Sequence, residues 1–225
     1  MGVQSSFGFT LGRMEKGKLN KITDVPGVRV GHVTRHEGGI NTGVTAILPH
    51  TGDTFHDKCP AASHVINGFG KSIGLVQVNE LGTIETPLLL TNTLSVGTAA
   101  TALVKYMLER NADIGCDTGT VNPMVFECND GHLNDIRGLH VTEQNALDAL
   151  ANAVHDFEEG AVGAGSGMSC YSLKGGIGSA SRVFELYGNK YTVGALLLTN
   201  FGTLRDLTIG GERVGERLYQ KKEAE

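Results

Sequence analysis

Apolar residues along this chain change their spacing in a set order, and that order restricts the fold more than any other feature. VRVGHV (28–33) and GVTAIL (43–48) are short β-type runs with Gly38-Gly39 between them, and Pro26-Gly27 turns the chain into the first. SIGLVQV (72–78) and PLLLT (87–91) are two further runs of strand length. The period then changes. Val96, Ala99, Ala100, Leu103 and Met107 fall on one helical face, with Thr93 or Ser95 as the expected cap and Asn111 beyond the end. A second helix is expected from Glu143 to about His155, capped by Thr142, with Ala146, Leu147, Leu150, Ala153 and Val154 on its buried face. Arg182–Tyr187 and Tyr191–Thr199 close the pattern as a hairpin turning at Gly188-Asn189. A doubly wound parallel sheet needs strand and helix to alternate singly. Paired strands and paired helices predict instead an α/β protein in which helices cover stacked, largely antiparallel sheets.

With 225 residues, 40% of them hydrophobic, the chain can build one core, and residues 1–225 are read as a single domain. The mixed-charge segment 212–225 is read as a polar, solvated C-terminal tail. A net charge of −5 with no basic stripe argues against nucleic acid as a partner. No apolar run reaches membrane-spanning length, so no membrane partner is expected. The N-terminus carries no secretory pattern, and a cytoplasmic location is expected. Cys59, Cys116, Cys128 and Cys170 are scattered without a C-x-x-C pair, and read as reduced thiols. His50, His56 and His64, with Asp53 and Asp57 among them, match no metal-ligand spacing. No metal and no organic cofactor is expected.

Glycine supplies 32 residues, and it is densest in GAVGAGSGMSCYSLKGGIGS (160–179). A phosphate loop is the first hypothesis to test, and it fails. Gly70-Lys71-Ser72 has the end of a Walker A motif, but position 65 is Val. The dinucleotide fingerprint would need glycine where Met168 or Cys170 stands. Ser166, between two glycines, falls short of G-x-S-x-G. The segment reads as an extended loop passing close to other backbone.

Two places carry chemistry. ECNDGHLND (127–135) has three carboxylates after an apolar pair. A carboxylate there can sit in a partly dry pocket and favour a cationic ligand such as an amine, while Asn129, Asp130 and Asn134 can equally be turn formers. Asn200 ends the apolar run GALLLTN. It either aims an amide at the mouth of a sheet or simply turns the chain.

At these residues the sequence resembles a known family. ITDVPGVRVGHVT (22–34), TGVTAILP (42–49), NGFGKSIGL (67–75), ETPLLLTNTLSVGTA (85–99), E-x-x-D-G-x-L-N-D-I (127–136), GSGMSCYSLKGGIGSASR (165–182) and LLLTNFG (196–202) resemble, in order, the DmpA/BapA-type aminopeptidases. These are the L-aminopeptidase/D-esterase and β-peptidyl aminopeptidase group. The resemblance implies a four-layer α/β/β/α sandwich like that of N-terminal nucleophile hydrolases. It also implies a precursor that cuts itself into α and β chains, with the new N-terminal Ser or Thr of the β chain as nucleophile. The present chain corresponds to the α chain. It is therefore expected to meet its nucleophile on a β-chain partner, in an oligomer of αβ units, most often four. A terminal α-amine can act as the nucleophile's own base, because its reference pKa is only about 7.7–8.0.

By resemblance, Asn200 is the oxyanion-hole donor and Glu127 faces the free amino group of a small peptide, amide or ester substrate. Asn129, where some members carry a bulkier residue, lines the acyl pocket, and its backbone N–H is a second candidate oxyanion donor. The glycine-rich segment is then a loop and strand near the active centre, with no phosphate involved. Two other readings remain at this stage: an ornithine acetyltransferase-like acyltransferase, and a non-catalytic protein that kept the scaffold.

Overall fold

The computed structural model of the chain describes residues 12–224. Its elements run β1 (Arg29–Glu37), β2 (Ile40–Leu48), β3 (Cys59–Pro60), α1 (Leu75–Leu81), β4 (Thr83–Ile84), β5 (Leu88–Asn92), α2 (Val96–Arg110), β6 (Met124–Cys128) and α3 (Glu143–Ala151). They continue with β7 (Ser169–Cys170), β8 (Leu173–Lys174), β9 (Ile177–Leu186), β10 (Asn189–Leu198) and α4 (Val214–Ala224). One sheet has the order β1-β2-β5-β6, and β9 and β10 form a second, two-stranded sheet. β1–β2 and β2–β5 are antiparallel, whereas β5 and β6 are parallel and joined through α2.

The stacking follows from which faces are apolar. α2 and α3 lay Val96, Ala99, Ala100, Leu103, Ala146, Ala149 and Leu150 on Val44, Ala46, Leu48, Leu89 and Val125 of the four-stranded sheet. The alanines let the helices lie close to the strands. The sheet's other face contributes Val30 and Leu90, packed on Ile177, Leu196 and Leu198 of the hairpin with Phe157 and Ala164 between. The layers are thus helix, sheet, sheet. The outer face of the hairpin is uncovered: Tyr191, Val193 and Leu197 are exposed there, although Val193 and Leu197 are apolar.

Local chemistry sets the boundaries. Gly38-Gly39, both at positive φ, turn β1 into β2 with Glu37 opposite Ile40. The second hairpin turns at Tyr187-Gly188, one residue earlier than the expected Gly188-Asn189. That register puts Thr192, Leu196 and Leu198 on the inner face, so burial decided the turn and placed Tyr187 in a left-handed conformation that few non-glycine residues adopt.

Other expectations change or gain detail. The run 72–78 forms only a one-residue bridge, Ile73 to Val125, before α1 begins at Leu75 with Gly74 as its cap residue. A seven-residue apolar run does not tell strand from helix by period. Gly74 and Gly82, both left-handed, bound the helix. Ser95 is the N-cap residue of α2, one of the two expected, but its side chain makes no capping hydrogen bond. The Asn92 side chain accepts from the backbone N–H groups of Leu94 and Ser95, at 3.1 Å each, in the 3-10 turn that opens the helix. α3 stops at Ala151, because Val154 exchanges backbone hydrogen bonds with Val30 of β1. Finally, segment 212–225 is polar but not featureless, since Val214–Ala224 is helical and its first turn lies against the 3-10 turn at Leu204–Asp206.

The parallel pair β5–β6 is tied at its start. Glu85 is buried, accepts from Lys58 Nζ at 2.6 Å, and accepts from the Asn122 backbone and side chain at 2.8 and 3.0 Å. Burial opposes its charge, yet these donors outweigh burial and hold the carboxyl below the usual glutamate range. Next to it, Thr86 Oγ1 accepts from the Met124 N–H at 3.2 Å. Glu85→Gln is expected to lower stability by about 1–3 kcal/mol near neutral pH in urea denaturation. A depressed folded pKa gives stability that is present above the unfolded value of about 4.3 and lost as pH falls through the folded one. The difference between wild type and variant should therefore shrink in acid; a difference that grows on acidification would contradict the assignment.

Candidate active site

The ends of β6 and β10 converge. Glu127 stands near the end of β6, opposite Thr91 of β5. Alternation puts Val125 and Glu127 on the face that α2 covers, so the carboxylate lies by the turn that opens that helix, where the helix dipole favours negative charge. Its Oε1 accepts from the Lys71 backbone N–H at 3.0 Å, and its Oε2 accepts a short hydrogen bond from the Thr93 hydroxyl. Both donors are neutral. The Lys71 ammonium turns away, over the Phe69 ring at 3.5 Å. Among the described residues no cation forms an ion pair with Glu127. Gly70 and Ser72, flanking Lys71, line a cavity of about 600 Å³ with Ile66, Leu75 and Phe126.

Two residues on, the Asn129 side chain closes a tight turn by accepting from the Gly131 N–H at 2.8 Å. Asp130 behind it is fully buried, takes one hydrogen bond from Asn134 at 3.0 Å, and leaves Oδ2 without a partner. Burial pushes its carboxyl above the usual range. Asn134 in turn accepts from the Asn41 N–H at 3.0 Å. The turn-forming reading of Asn129, Asp130 and Asn134 is thus correct as local structure. It also fixes the Asn129 carbonyl, which accepts from Asn200 Nδ2 at 2.9 Å. Asn200 and Asn129 are in direct contact, and Glu127 sits on the same strand end. The Asn200 amide nitrogen has a second hydrogen, and the bond to Asn129 sets where it points. A cavity of about 300 Å³ lies against Asn200, lined also by His132, Ser169, Ser172 and Phe201.

The glycine-rich segment braces this amide. Gly176 O accepts from both the backbone N–H and the hydroxyl of Thr199, and Tyr171 N donates to Phe201 O at 2.7 Å. Tyr171 and Ser172, both at positive φ, turn β7 into β8, and the Tyr171 ring meets Phe201 edge-on at 5.1 Å. A Cβ at Gly175 would lie 2.7 Å from Thr199 O, and one at Gly167 would lie 2.1 Å from Asn41 O. Close backbone approach is therefore what these glycines permit.

Sequence reasoning missed Thr93 as a partner of Glu127, since its position beside a helix start marked it only as a cap. It also missed His132, Ser169 and Ser172, whose spacing carries no motif. No hydrogen bond joins His132 to either serine among the described residues, so they form no activated nucleophile pair. Lys174 donates to the carbonyls of Gly165, Met168 and Gly175 and is occupied by the loop it holds. Of the histidines read as ordinary loop residues, His50 holds its own turn, and His56 bridges Asp53 and Asp113 at 2.5 and 3.0 Å. Among the described residues no cluster of three or more His, Cys, Asp or Glu is placed to hold a metal ion. No helix there is long and apolar enough to cross a membrane.

The described residues thus place a carboxylate without a cation partner and an oriented amide at two converging strand ends. Residues 20–225 match the model of peptidase family S58, and the chain belongs to that family. It is 41% identical over 215 residues to the β-peptidyl aminopeptidase BapA of Sphingosinicella microcystinivorans, covering 91% of this chain and 53% of that protein. Among solved structures, it matches the PH0078 protein from Pyrococcus horikoshii OT3 with TM-score 0.95 and 56% identity, over 97% of this chain and 64% of that one. It matches a Burkholderia sp. β-aminopeptidase with TM-score 0.90 and 44% identity, over 96% and 62% of the two chains. The L-aminopeptidase D-Ala-esterase/amidase from Ochrobactrum anthropi, described as a new variant among the Ntn hydrolase fold, matches with TM-score 0.83 and 38% identity over 92% and 60%. The fold class is therefore the Ntn-hydrolase-like sandwich, and the chain spans about half the length of the curated relatives it matches.

Cys128 lies between Glu127 and Asn129, with its thiol 3.7 Å from Leu198 O. Burial, and then the charge of Glu127, push that thiol up to about 11. Such a thiol is a poor nucleophile near neutral pH. With single-cysteine variants at pH 8, a disulfide reagent is expected to modify exposed Cys116 roughly ten-fold or more faster than Cys128; equal rates would mean that the thiol is open to the site.

Proposed function

We propose that this chain is the α chain of an autoprocessed aminopeptidase that removes small N-terminal residues from short peptides, amides or esters. The observation that carries this reading is the Glu127 carboxylate. Two neutral donors fix it, no cation among the described residues pairs with it, and it sits two residues from the carbonyl that orients the Asn200 amide. A free N-terminal ammonium completes the Glu127 pair, and the scissile carbonyl of that first residue then falls toward Asn200. An internal peptide has no ammonium to offer, which is the physical basis of exopeptidase behaviour.

The nucleophile is the N-terminal Ser or Thr of a β chain from the same precursor. Its hydroxyl attacks the carbonyl and gives its proton to its own α-amine, and the resulting oxyanion accepts from Asn200 Nδ2. The C–N bond (C–O in an ester) breaks as the proton passes to the leaving group, and water hydrolyses the acyl-enzyme. Two observations support a nucleophile supplied from outside the described residues. No activated serine is found among them, and the outer hairpin face is uncovered where a four-layer sandwich has a further layer. The relatives named as β-aminopeptidases support including β-amino acids in the substrate range. An oligomer of αβ units in the cytoplasm completes the proposal.

Asn200→Ala is expected to lower kcat by about 10²–10³ with KM little changed, as for loss of one oxyanion donor. Glu127→Gln is expected to lower kcat/KM for free-amine substrates by roughly ten-fold to a hundred-fold, the worth of a hydrogen bond to a charged group, and to spare amino-acetylated analogues. Steady-state kinetics with β-alanyl and D-alanyl amides, against acetyl-ornithine as acyl donor, decide the reading. A wild type that treats blocked and free amines alike, or that turns over only acetyl-ornithine, would overturn it.

A further inference from the structure

A third cavity, of about 340 Å³, opens at the other end of the four-stranded sheet. It lies between the start of β1 at Arg29, the loop after β2 at His50 to Thr54, Pro87 before β5, and the last turn of α2 at Tyr106 and Arg110. Arg29 pairs with Leu48, whereas Glu127 pairs with Thr91 further along the strands, so the cavity and the candidate active site face opposite ends of the sheet.

Its charge is unbalanced. Asp53, the carboxylate on its wall, is engaged by His56 Nδ1 at 2.5 Å and by the Phe55 N–H at 3.0 Å. His50 is occupied by its own loop, with Nδ1 accepting from the Gly52 N–H and Nε2 in contact with Asp57 O, each at 2.9 Å. Arg110 lies over the Tyr106 ring at 3.6 Å, donates to Tyr106 O at 3.1 Å, and reaches Glu109 only at 3.9 Å. Arg29 has less. No ion pair among the described residues includes it, and its Nε is shut from solvent without a hydrogen-bond partner. A buried donor without an acceptor is unfavourable. A guanidinium presents a planar fork of donors that matches two oxygens of a carboxylate or phosphate.

We propose that this cavity is a binding site for a small oxyanion, a carboxylate or phosphate, gripped by Arg29 from the sheet with Arg110 closing over it from α2. The ligand offsets the positive charge of the two guanidinium groups that line the cavity. By bridging β1 and α2 it stabilises the folded chain by an amount that rises with the logarithm of its concentration above Kd. The site stands apart from the proposed peptidase chemistry and does not depend on it.

Isothermal titration calorimetry of the purified protein tests this, with inorganic phosphate and succinate as separate probes at ionic strength fixed with chloride. Saturable one-site binding of either probe is expected, with a matching rise in Tm, and the tighter probe identifies the preferred oxyanion. Arg29→Gln should weaken binding about ten-fold or more, and Arg29→Lys, which keeps the charge but loses the fork, should fall between. If Arg29→Gln does not fold, Arg110→Gln on the exposed helix surface decides, with weakening of several-fold expected from lost charge. Heats that never saturate for either probe, or affinities unchanged in the folded variants, would overturn the proposal.

Discussion

The parallel pairing of β5 with β6 is the constraint on which the site depends. It sets Glu127 opposite Thr91, on the sheet face that α2 covers. Asn92, one residue beyond Thr91, spends its side chain on capping the turn that opens α2, and this releases the Thr93 hydroxyl for Glu127. A slip of one residue between the strands would send Glu127 to the opposite face, into the apolar layer around Phe126 and Leu90. The pair is held against such a slip at both ends, by Glu85 and Thr86 at the start and by Thr93 at the finish. A charged group can be placed with this precision only because the strands carrying it cannot move relative to each other.

Asn200 is positioned by a different device. It lies just past β10, where the sheet hydrogen bonds have ended, and a strand end alone would leave the amide free to swing. The glycine-rich segment supplies the missing restraint by running its backbone against Thr199 and Phe201, closer than any side chain would allow. Its hydrogen-bonding groups face the chain they brace, and no phosphate-binding arrangement results. The Asn200 amide is thus held in place by the chain itself, which is the preorganisation that its proposed role as an oxyanion donor requires.

The sequence disclosed the parts of the molecule whose signals are local and periodic. The faces of α2 and α3, the β1–β2 hairpin and its diglycine turn, and the Thr142 cap all follow from residue spacing. The 72–78 run was misread because seven apolar residues fit a strand or a helix equally, and the choice was made by two glycines and by packing on Met124. The strand at 124–128 was invisible for a similar reason, since five residues show no period and their pairing with β5 is non-local. At the site, residue types and strand-end positions marked Glu127 and Asn200 as candidates, while their roles came from family resemblance. The bond from Asn200 to the Asn129 carbonyl spans 71 positions, and the Thr93 hydroxyl bond spans 34; neither separation leaves a trace in local composition.

The distribution of apolar surface bears on how such a site can be assembled from more than one segment. The helix-covered core and the layer between the sheets are complete within this chain, so the two walls of the cleft are rigid. One uncovered apolar surface is the far face of β9 and β10, where Val193 is 58% and Leu197 50% exposed beside the stacked rings of Phe184 and Tyr191. A two-stranded hairpin is marginal by itself and needs packing on its faces. The inner face has that packing, on Ile22, Val30 and Leu90, and this fixes the end of β10 that carries Asn200. A further layer added to the outer face would tighten the hairpin without reshaping the amide or the carboxylate. Under the proposed function, the β-chain segment would supply that layer and the nucleophile together.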